Sequence, residues 1–426
     1  MISIYRFITT LIYPLLIFII FLRKVLKKED HKRYKEKIFS SHFNVIRKEN
    51  SKLIWFHAAS IGELKSIFPI LNELNKENKN FEFLITTVTL SAGNLAKKEI
   101  NKYTNVQHRF FPLDINFLIK KFLLRWQPNI IFLVDSEIWP NLILNANQSK
   151  IPIALINGRI TKKTFKKWKF FKEISKKIFG SFGLCLSSSV ETKTYLEKLG
   201  AKNIFHFGNI KLFSKNTSKE RIDPNEIFLS KIKYWCVVSS HRGEEKFCLD
   251  THKILKKNIK NILTIIAPRH INRANEIKKL CDQHNLNSQI LKNDQKIQGD
   301  KEIIIVNAFG VLSKFFKNTK SVFMGKSLFK KFVYEGGQNP IEAAQQGCKI
   351  YHGPFIYNFK EIYNILRENL ISHEINDSVE LARYINKDFE DKIDSVQISN
   401  LIQNLGRKTL TDTMKQINFF LKNETI

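Results

Sequence analysis

The sequence predicts an α/β fold of two Rossmann-like domains, and three observations carry that prediction. Short apolar runs rich in Ile, Val, Phe and Leu alternate with longer stretches of helical apolar period. The alternation stops once, in the polar segment 214–226, and then restarts. The 426 residues are enough for two domains of about 100–200 residues each.

Taken in order, the chain opens on an apolar run from Phe7 to Leu22, broken only by Thr9, Thr10 and Pro14. Counted from Met1, with Arg6 snorkelling, it reaches the minimum length for a bilayer crossing. Arg23, Lys24, Lys27, Lys28, Lys32, Arg33, Lys35 and Lys37 follow it. A secretory signal carries its charge before the apolar run. Here the order is reversed, so residues 1–24 are expected to anchor the chain with everything after Leu22 on the cytoplasmic side.

Residues 25–213 form the first expected domain, with strands at Leu53–Ala58, Phe81–Thr86, Val106–Phe110, Ile130–Val134, Ile153–Ile156, Gly183–Leu186 and Ile204–Phe207. The linker 214–226 leads to a second domain, 227–400, with strands at Trp235–Ser239, Ile262–Ala267, Ile303–Val306, Ser321–Met324 and Lys349–Tyr351. Gly243–Leu255 and Asn272–His284 read as helices, and a last long helix begins near Ser395. Its part 401–426 is expected to return to the first domain, and the two domains are expected to face a cleft. One helix, Lys162–Phe179, carries eight lysines around an aromatic stripe. Such a helix suits an anionic membrane surface, and equally a solvated cover of the sheet.

Hydrophobic content of 43% is that of a globular protein. A formal net charge of +31 calls for an anionic surface or substrate. The five cysteines are scattered without metal-ligand spacing, which suits a reducing compartment and isolated core thiols. There is no G-x-G-x-x-G and no Walker A lysine motif.

Chemistry is expected where strands end. Trp55-Phe-His-Ala-Ala-Ser-Ile-Gly-Glu63 reads as strand, turn and helix start. Glu63 stands in the first helical turn, where the dipole favours its carboxylate, and is a candidate general base. Ser60-x-x-Glu63 is also a capping box, in which the same carboxylate would only satisfy its own turn. Val134-Asp-Ser-Glu-Ile-Trp-Pro-Asn141 places Asp135 and Glu137 after another strand, with no third metal ligand in sight. Asn157-Gly-Arg159 and Gly208-Asn-Ile-Lys211 add cations at strand ends. The second half has its own polar stretches: Ser239-Ser-His-Arg-Gly-Glu-Glu245 and Ala267-Pro-Arg-His270 follow strands, and Glu335-Gly-Gly-Gln-Asn-Pro-Ile-Glu342, with two glycines, is the most specific of the three. In the last of these, Pro340 suits the first position of a helix whose N–H groups can meet a phosphate, beside Glu342.

Together these stretches, in this order, resemble the Kdo (3-deoxy-D-manno-octulosonic acid) transferases that prime the lipopolysaccharide inner core on lipid A. The resemblance spans essentially the whole chain. It implies a GT-B glycosyltransferase with an N-terminal acceptor domain and a C-terminal nucleotide-sugar domain. The donor it implies is CMP-Kdo, the acceptor a lipid A precursor of the lipid IVA type, and the place the bacterial inner membrane, with lipid contact on the cytoplasmic side. It implies inversion at the anomeric carbon, with no cofactor and no metal. Glu63 matches the family's general base, and Asp135 and Lys211 match positions that stabilise the transition state. Pro268, Arg269, Phe309, Gly310, Val311, Asn339, Pro340, Ile341 and Glu342 match the CMP contacts. Ser60, Gly62, Glu137, Arg159 and His241 are further candidates for contacts to acceptor or donor.

Three positions depart from the family pattern. Asp135 stands where Glu is usual, Phe309-Gly310-Val311 replaces Met-Gly-Glu, and Arg242 stands where an acid is common. The altered loop leaves a GT-B transferase of another nucleotide sugar as the alternative. A non-enzymatic polyanion binder would suit the charge but not the glycine and carboxylate motifs, and no nucleic-acid signature accompanies them.

Overall fold

The computed structural model describes residues 2–48, 50–77, 80–213, 225–293, 295–308, 310–391, 394–424 and 426. Residues 214–224 of the expected linker, and Phe309, lie outside them. The chain divides into two compact units, Met1–Ser214 with Gly406–Ile426, and Lys215–Leu405.

The first unit holds a seven-stranded parallel sheet of β1 (Lys52–His57), β2 (Phe81–Thr87), β3 (Val106–Phe110), β4 (Ile130–Val134), β5 (Ile153–Gly158), β6 (Leu184–Ser187) and β7 (Ile204–His206). Its order is β3-β2-β1-β4-β5-β6-β7. Both faces are covered, so the inner strands are apolar throughout rather than alternating. Along β1 successive side chains still part to opposite faces. Leu53 and Trp55 join one core cluster with Phe122, Trp126 and Phe179, while Ile54 and Phe56 join another with Phe83 and Phe132. The second cluster also takes Leu410, Met414, Ile417, Phe420 and Leu421 from the long C-terminal helix Ser395–Asn423. Full burial of each such side chain contributes about 1.5–3 kcal/mol.

The second unit repeats the plan with β8 (Tyr234–Ser240), β9 (Leu263–Pro268), β10 (Ser288–Leu291), β11 (Ile303–Val306), β12 (Ser321–Met324), β13 (Lys349–His352) and β14 (Ser372–Glu374), in the order β10-β11-β9-β8-β12-β13-β14. In each sheet strands extend to both sides of a central pair, β1 with β4 and β8 with β12, in sequence order except that β10 lies outside β11. Open α/β sheets place ligands outside the carboxyl ends of strands at the switch point between such a pair.

Three elements differ from expectation. The apolar N-terminus is two helices, Ile2–Leu11 and Tyr13–Val25, bent by 50°, and no single helix among the described residues is long and apolar enough to cross a membrane. Pro14 opens the second helix, because a proline there removes one backbone donor and crowds the preceding turn. Only Ile20 of the pair is buried, whereas Phe7 and Leu11 are 68% and 67% exposed. The basic stretch is likewise two helices, Lys162–Phe170 and Lys172–Phe179, broken at Phe171. Finally, Pro340 is the N-cap of a helix of only five residues, Ile341–Gln345, not its first residue. So short a helix has little dipole to offer an anion.

Candidate active site

Glu63 follows β1 and Asp135 follows β4, the two strands that flank the switch point of the first unit. The Glu63 carboxylate turns back on its own turn. Oε2 accepts from the Ala59 N–H at 2.7 Å, Oε1 accepts from the Ser60 hydroxyl at 2.8 Å, and the Glu63 N–H reaches Ser60 Oγ at 3.4 Å. That is a capping box with its reach extended by one residue. Burial pushes the Glu63 carboxyl above its ordinary value, and the charges of Asp135 and Glu137 add to the rise against the bonds from Ser60 and Ala59. Gly62 is exposed, and a side chain there would meet nothing within 4 Å.

Asp135 takes a left-handed backbone, φ 62°, which lets the chain turn sharply at the strand end. Its Oδ2 accepts from Lys211 Nζ at 2.6 Å, and its Oδ1 accepts from the Ser136 hydroxyl at 3.0 Å. Lys211 is set by two asparagines. Asn209 Oδ1 accepts from its backbone N–H, and Asn157 Oδ1 accepts from the N–H of Ile210. Arg159 is tied in through its backbone N–H, which donates to the Asp135 carbonyl.

Glu137 rests on a buried chain of hydrogen bonds. The Trp55 indole donates to Thr86 Oγ1, which stands 2.9 Å from His57 Nδ1. The Trp139 indole N–H in turn faces His57 Nε2 at 3.1 Å. Nε2 lies 3.2 Å from Glu137 Oε2, and the Trp139 indole donates to the same oxygen at 2.8 Å.

In the second unit, β8 ends in a comparable turn, with Ser239 at φ 57°. Glu244, fully buried, accepts from the N–H groups of His241, Lys326, Ser327 and Leu328 at 2.7–3.2 Å. One carboxylate thus fixes the loops after β8 and β12, at the second switch point. The His241 ring faces the Ser239 carbonyl, and burial lowers its basicity. Arg269 follows β9, is exposed, and its guanidinium has no partner among the described residues. Gly336 packs so closely on the Phe355 carbonyl that a Cβ would lie 2.2 Å from it, and Gly337 sits at φ 85°. Asn339 Oδ1 accepts from the Ile341 N–H, the first of the short helix, and the Glu342 carboxylate has no partner among the described residues.

The family model described as 3-deoxy-D-manno-octulosonic-acid transferase (kdotransferase) matches residues 32–214. A 3-deoxy-D-manno-octulosonic acid transferase from Rickettsia felis is 30% identical over 337 residues, covering 77% of this chain and 70% of that one. The chain belongs to the 3-deoxy-D-manno-octulosonic acid transferase family. A Kdo transferase from Rickettsia bellii is 28% identical and is matched over 90% of each chain. The fold is shared with a glycosyltransferase from Rickettsia africae (TM-score 0.57, 13% identity, 88% of this chain and 100% of that one). It is shared equally with a UDP-GlcNAc 2-epimerase from Neisseria meningitidis (TM-score 0.57, 12% identity, 87% and 100%).

The chain is therefore a glycosyltransferase that handles Kdo. Of the residues that the sequence singled out in the first unit of this Kdo transferase, Glu63, Asp135, Glu137, Arg159 and Lys211 gather on the carboxyl edge of one sheet. Pro268, Arg269, His241 and the 336–342 segment belong to the other unit, as do Gly310 and Val311 after β11. Two positions went unassigned in sequence. His57 hides as one more residue of a buried strand, and Glu244 looks like the first acid of an ordinary helix start. Among the described residues no group of three or more His, Cys, Asp or Glu side chains could hold a metal ion.

Proposed function

We propose that this chain transfers Kdo from CMP-Kdo to a phosphorylated, acylated glucosamine disaccharide of the lipid A precursor type, with Glu63 as general base. The observation that carries this reading is the Glu63 carboxylate beside the Asp135–Lys211 pair, in a chain of the Kdo transferase family. Each Glu63 oxygen accepts a single bond from its own turn and keeps a second lone-pair direction. Capping and proton abstraction are therefore compatible in one carboxylate. The acceptor oxygen forms its bond to the anomeric carbon as the bond from that carbon to the CMP phosphate oxygen breaks. The hydroxyl proton passes to Glu63, and CMP leaves with the electron pair. Lys211, held by Asp135, offsets negative charge on the departing phosphate or on the donor carboxylate. Ser60, Gly62, Glu137 and Arg159 frame the acceptor.

On the donor side, Arg269 suits a phosphate oxygen. The backbone of Gly310 and Val311, with Pro268, Asn339, Pro340, Ile341, Glu342 and His241, supplies the remaining contacts. The bent N-terminal pair, with its exposed apolar side chains, docks the enzyme on the cytoplasmic face of the inner membrane, where the acceptor's acyl chains remain.

Incubation with CMP-Kdo and the lipid precursor is expected to give a Kdo-bearing lipid and CMP, read by mass spectrometry. Neither product from folded, lipid-supplied protein would end the proposal. Glu63→Gln is expected to lower turnover by about 10²–10⁴-fold with CMP binding kept. Unchanged turnover would remove Glu63 from the base role. A second reading, another nucleotide sugar on the same fold, is favoured by one feature, the missing acid at Val311. Stronger thermal stabilisation by UDP or GDP than by CMP would support it.

A further inference from the structure

On the far edge of the first sheet, a groove of about 500 Å³ runs between β3, the segment that carries Arg47 and Lys48, and the helix Leu90–Ile100. Arg33, Arg47, Lys48, Lys97 and Arg109 line it, against the carboxylates of Asp30 and Glu82. Neither acid is free for a cation's full use. Asp30 accepts from the backbone N–H groups of Lys32 and Arg33, and Glu82 accepts from the Ser51 hydroxyl and the Lys48 N–H. Arg33 is paired with Glu36 behind the groove. Five cations and three carboxylates thus leave two positive charges among the described residues.

Two of the three guanidinium groups, those of Arg47 and Arg109, are positioned by neutral partners. Arg109 donates to the Asn44 carbonyl at 2.7 Å and to the His108 carbonyl at 2.8 Å. Arg47 donates to the carbonyls of Trp126, Gln127 and Ser51 at 2.7–3.1 Å, and its nearest carboxylate oxygen is 3.8 Å away on Glu82. Carbonyls fix these side chains without cancelling their charge. Lys48 and Lys97 are exposed and have no ion-pair partner among the described residues. Local crowding of positive charge shows in His108, pushed down to about 3 by burial and then by Arg33 and Arg109. Ile46, Ile100, Val106 and Phe110 supply an apolar part of the wall, beside the neutral polar side chains of Asn94, Thr104 and Gln107.

We propose that this groove binds a phosphate monoester with an organic remainder, independently of the reaction assigned above. A monoester carries about −1.5 to −2 charge near neutral pH, which matches the surplus of two. Planar guanidinium groups suit its oxygens. The groove is far larger than a phosphate, and the apolar part of its wall covers the remainder. The monoester could reach it in solution or on a lipid headgroup.

The test compares the full chain with the double variant Lys48→Glu/Lys97→Glu, whose two side chains are exposed and have no ion-pair partner among the described residues. The probes are inorganic phosphate, read by thermal shift, and phosphatidylcholine vesicles doped with phosphatidic acid or phosphatidylglycerol, read by flotation. Stabilisation of the native chain by phosphate, weakened about tenfold or more in affinity by the variant, assigns a soluble monoester. A preference for phosphatidic acid over phosphatidylglycerol, lost in the variant, assigns a headgroup. No response of the native chain to either probe overturns the proposal. So does an unaltered response of the variant, or an equal loss of binding to both lipids.

Discussion

Burial, Asp135 and Glu137 all push the Glu63 carboxyl upward, while the Ser60 hydroxyl and the Ala59 N–H pull against them. The folded-state value therefore lies above the unfolded one. Between the two, the native chain holds more protons than the unfolded chain, so this group's contribution to stability falls as pH rises through that window. For activity the same shift sets the acid limb. We expect kcat/KM to fall on acidification with a midpoint above 4.5, the ordinary carboxyl value. In Asp135→Asn that midpoint moves to lower pH, since a like charge is removed and Lys211 loses its partner; a pH–rate profile of both proteins checks it. Glu63→Gln is expected to change stability by less than about 1 kcal/mol in a urea titration near pH 7. Its amide oxygen can accept from Ala59, and the Ser60 hydroxyl can turn from donor to acceptor. At this scale the sequence was informative where the acid follows a strand, as with Glu63 and Asp135. Glu244 was opaque, because three of its four donors come from residues 326–328, more than eighty positions along the chain.

That long-range arrangement makes the loops after β8 and β12 a single element. Glu244→Ala would strand four backbone N–H groups, that of Ser327 buried and the other three half-buried, at about 1–3 kcal/mol for each one left without a partner. We expect a loss of at least about 3 kcal/mol in denaturant titration, with CMP binding weakened and the first unit's spectroscopic signature kept. The inner strands were legible from composition because burial on both faces writes a largely apolar run; Ile130–Val134, Ile303–Val306 and Ser321–Met324 match the elements to the residue. The edge strands Ser288–Leu291 and Ser372–Glu374 were not, since half-exposed positions dilute the apolar signal. Helix breaks were hidden for another reason. Apolar period continues across Ile12 and across Phe171, so nothing in the pattern marks where the backbone turns.

For the whole molecule, charge and apolar surface act through different ranges. The +31 charge attracts anionic bilayers but is screened within about 3 Å at 1 M salt. The exposed Phe7, Leu11, Leu15 and Phe18 of the N-terminal pair are indifferent to salt. We expect the full chain to float with anionic vesicles at about 1 M salt. A variant lacking residues 2–25 should bind them only at low salt, with donor binding unchanged. Salt-resistant flotation of that variant would place the apolar attachment elsewhere.

The long helix Ser395–Asn423 belongs to the second unit up to Leu405 and to the first from Gly406. Leu410, Met414, Ile417, Phe420 and Leu421 thus emerge after the whole second unit, yet they fill a core whose first strand was made more than three hundred residues before. Nascent domains generally fold in the order in which they emerge. Here the first sheet keeps one face incomplete until residues 406–426 have emerged, while the second unit, unbroken from 215 to 405, is complete earlier. Order of synthesis and order of completion are reversed: the unit begun first is finished only after the second.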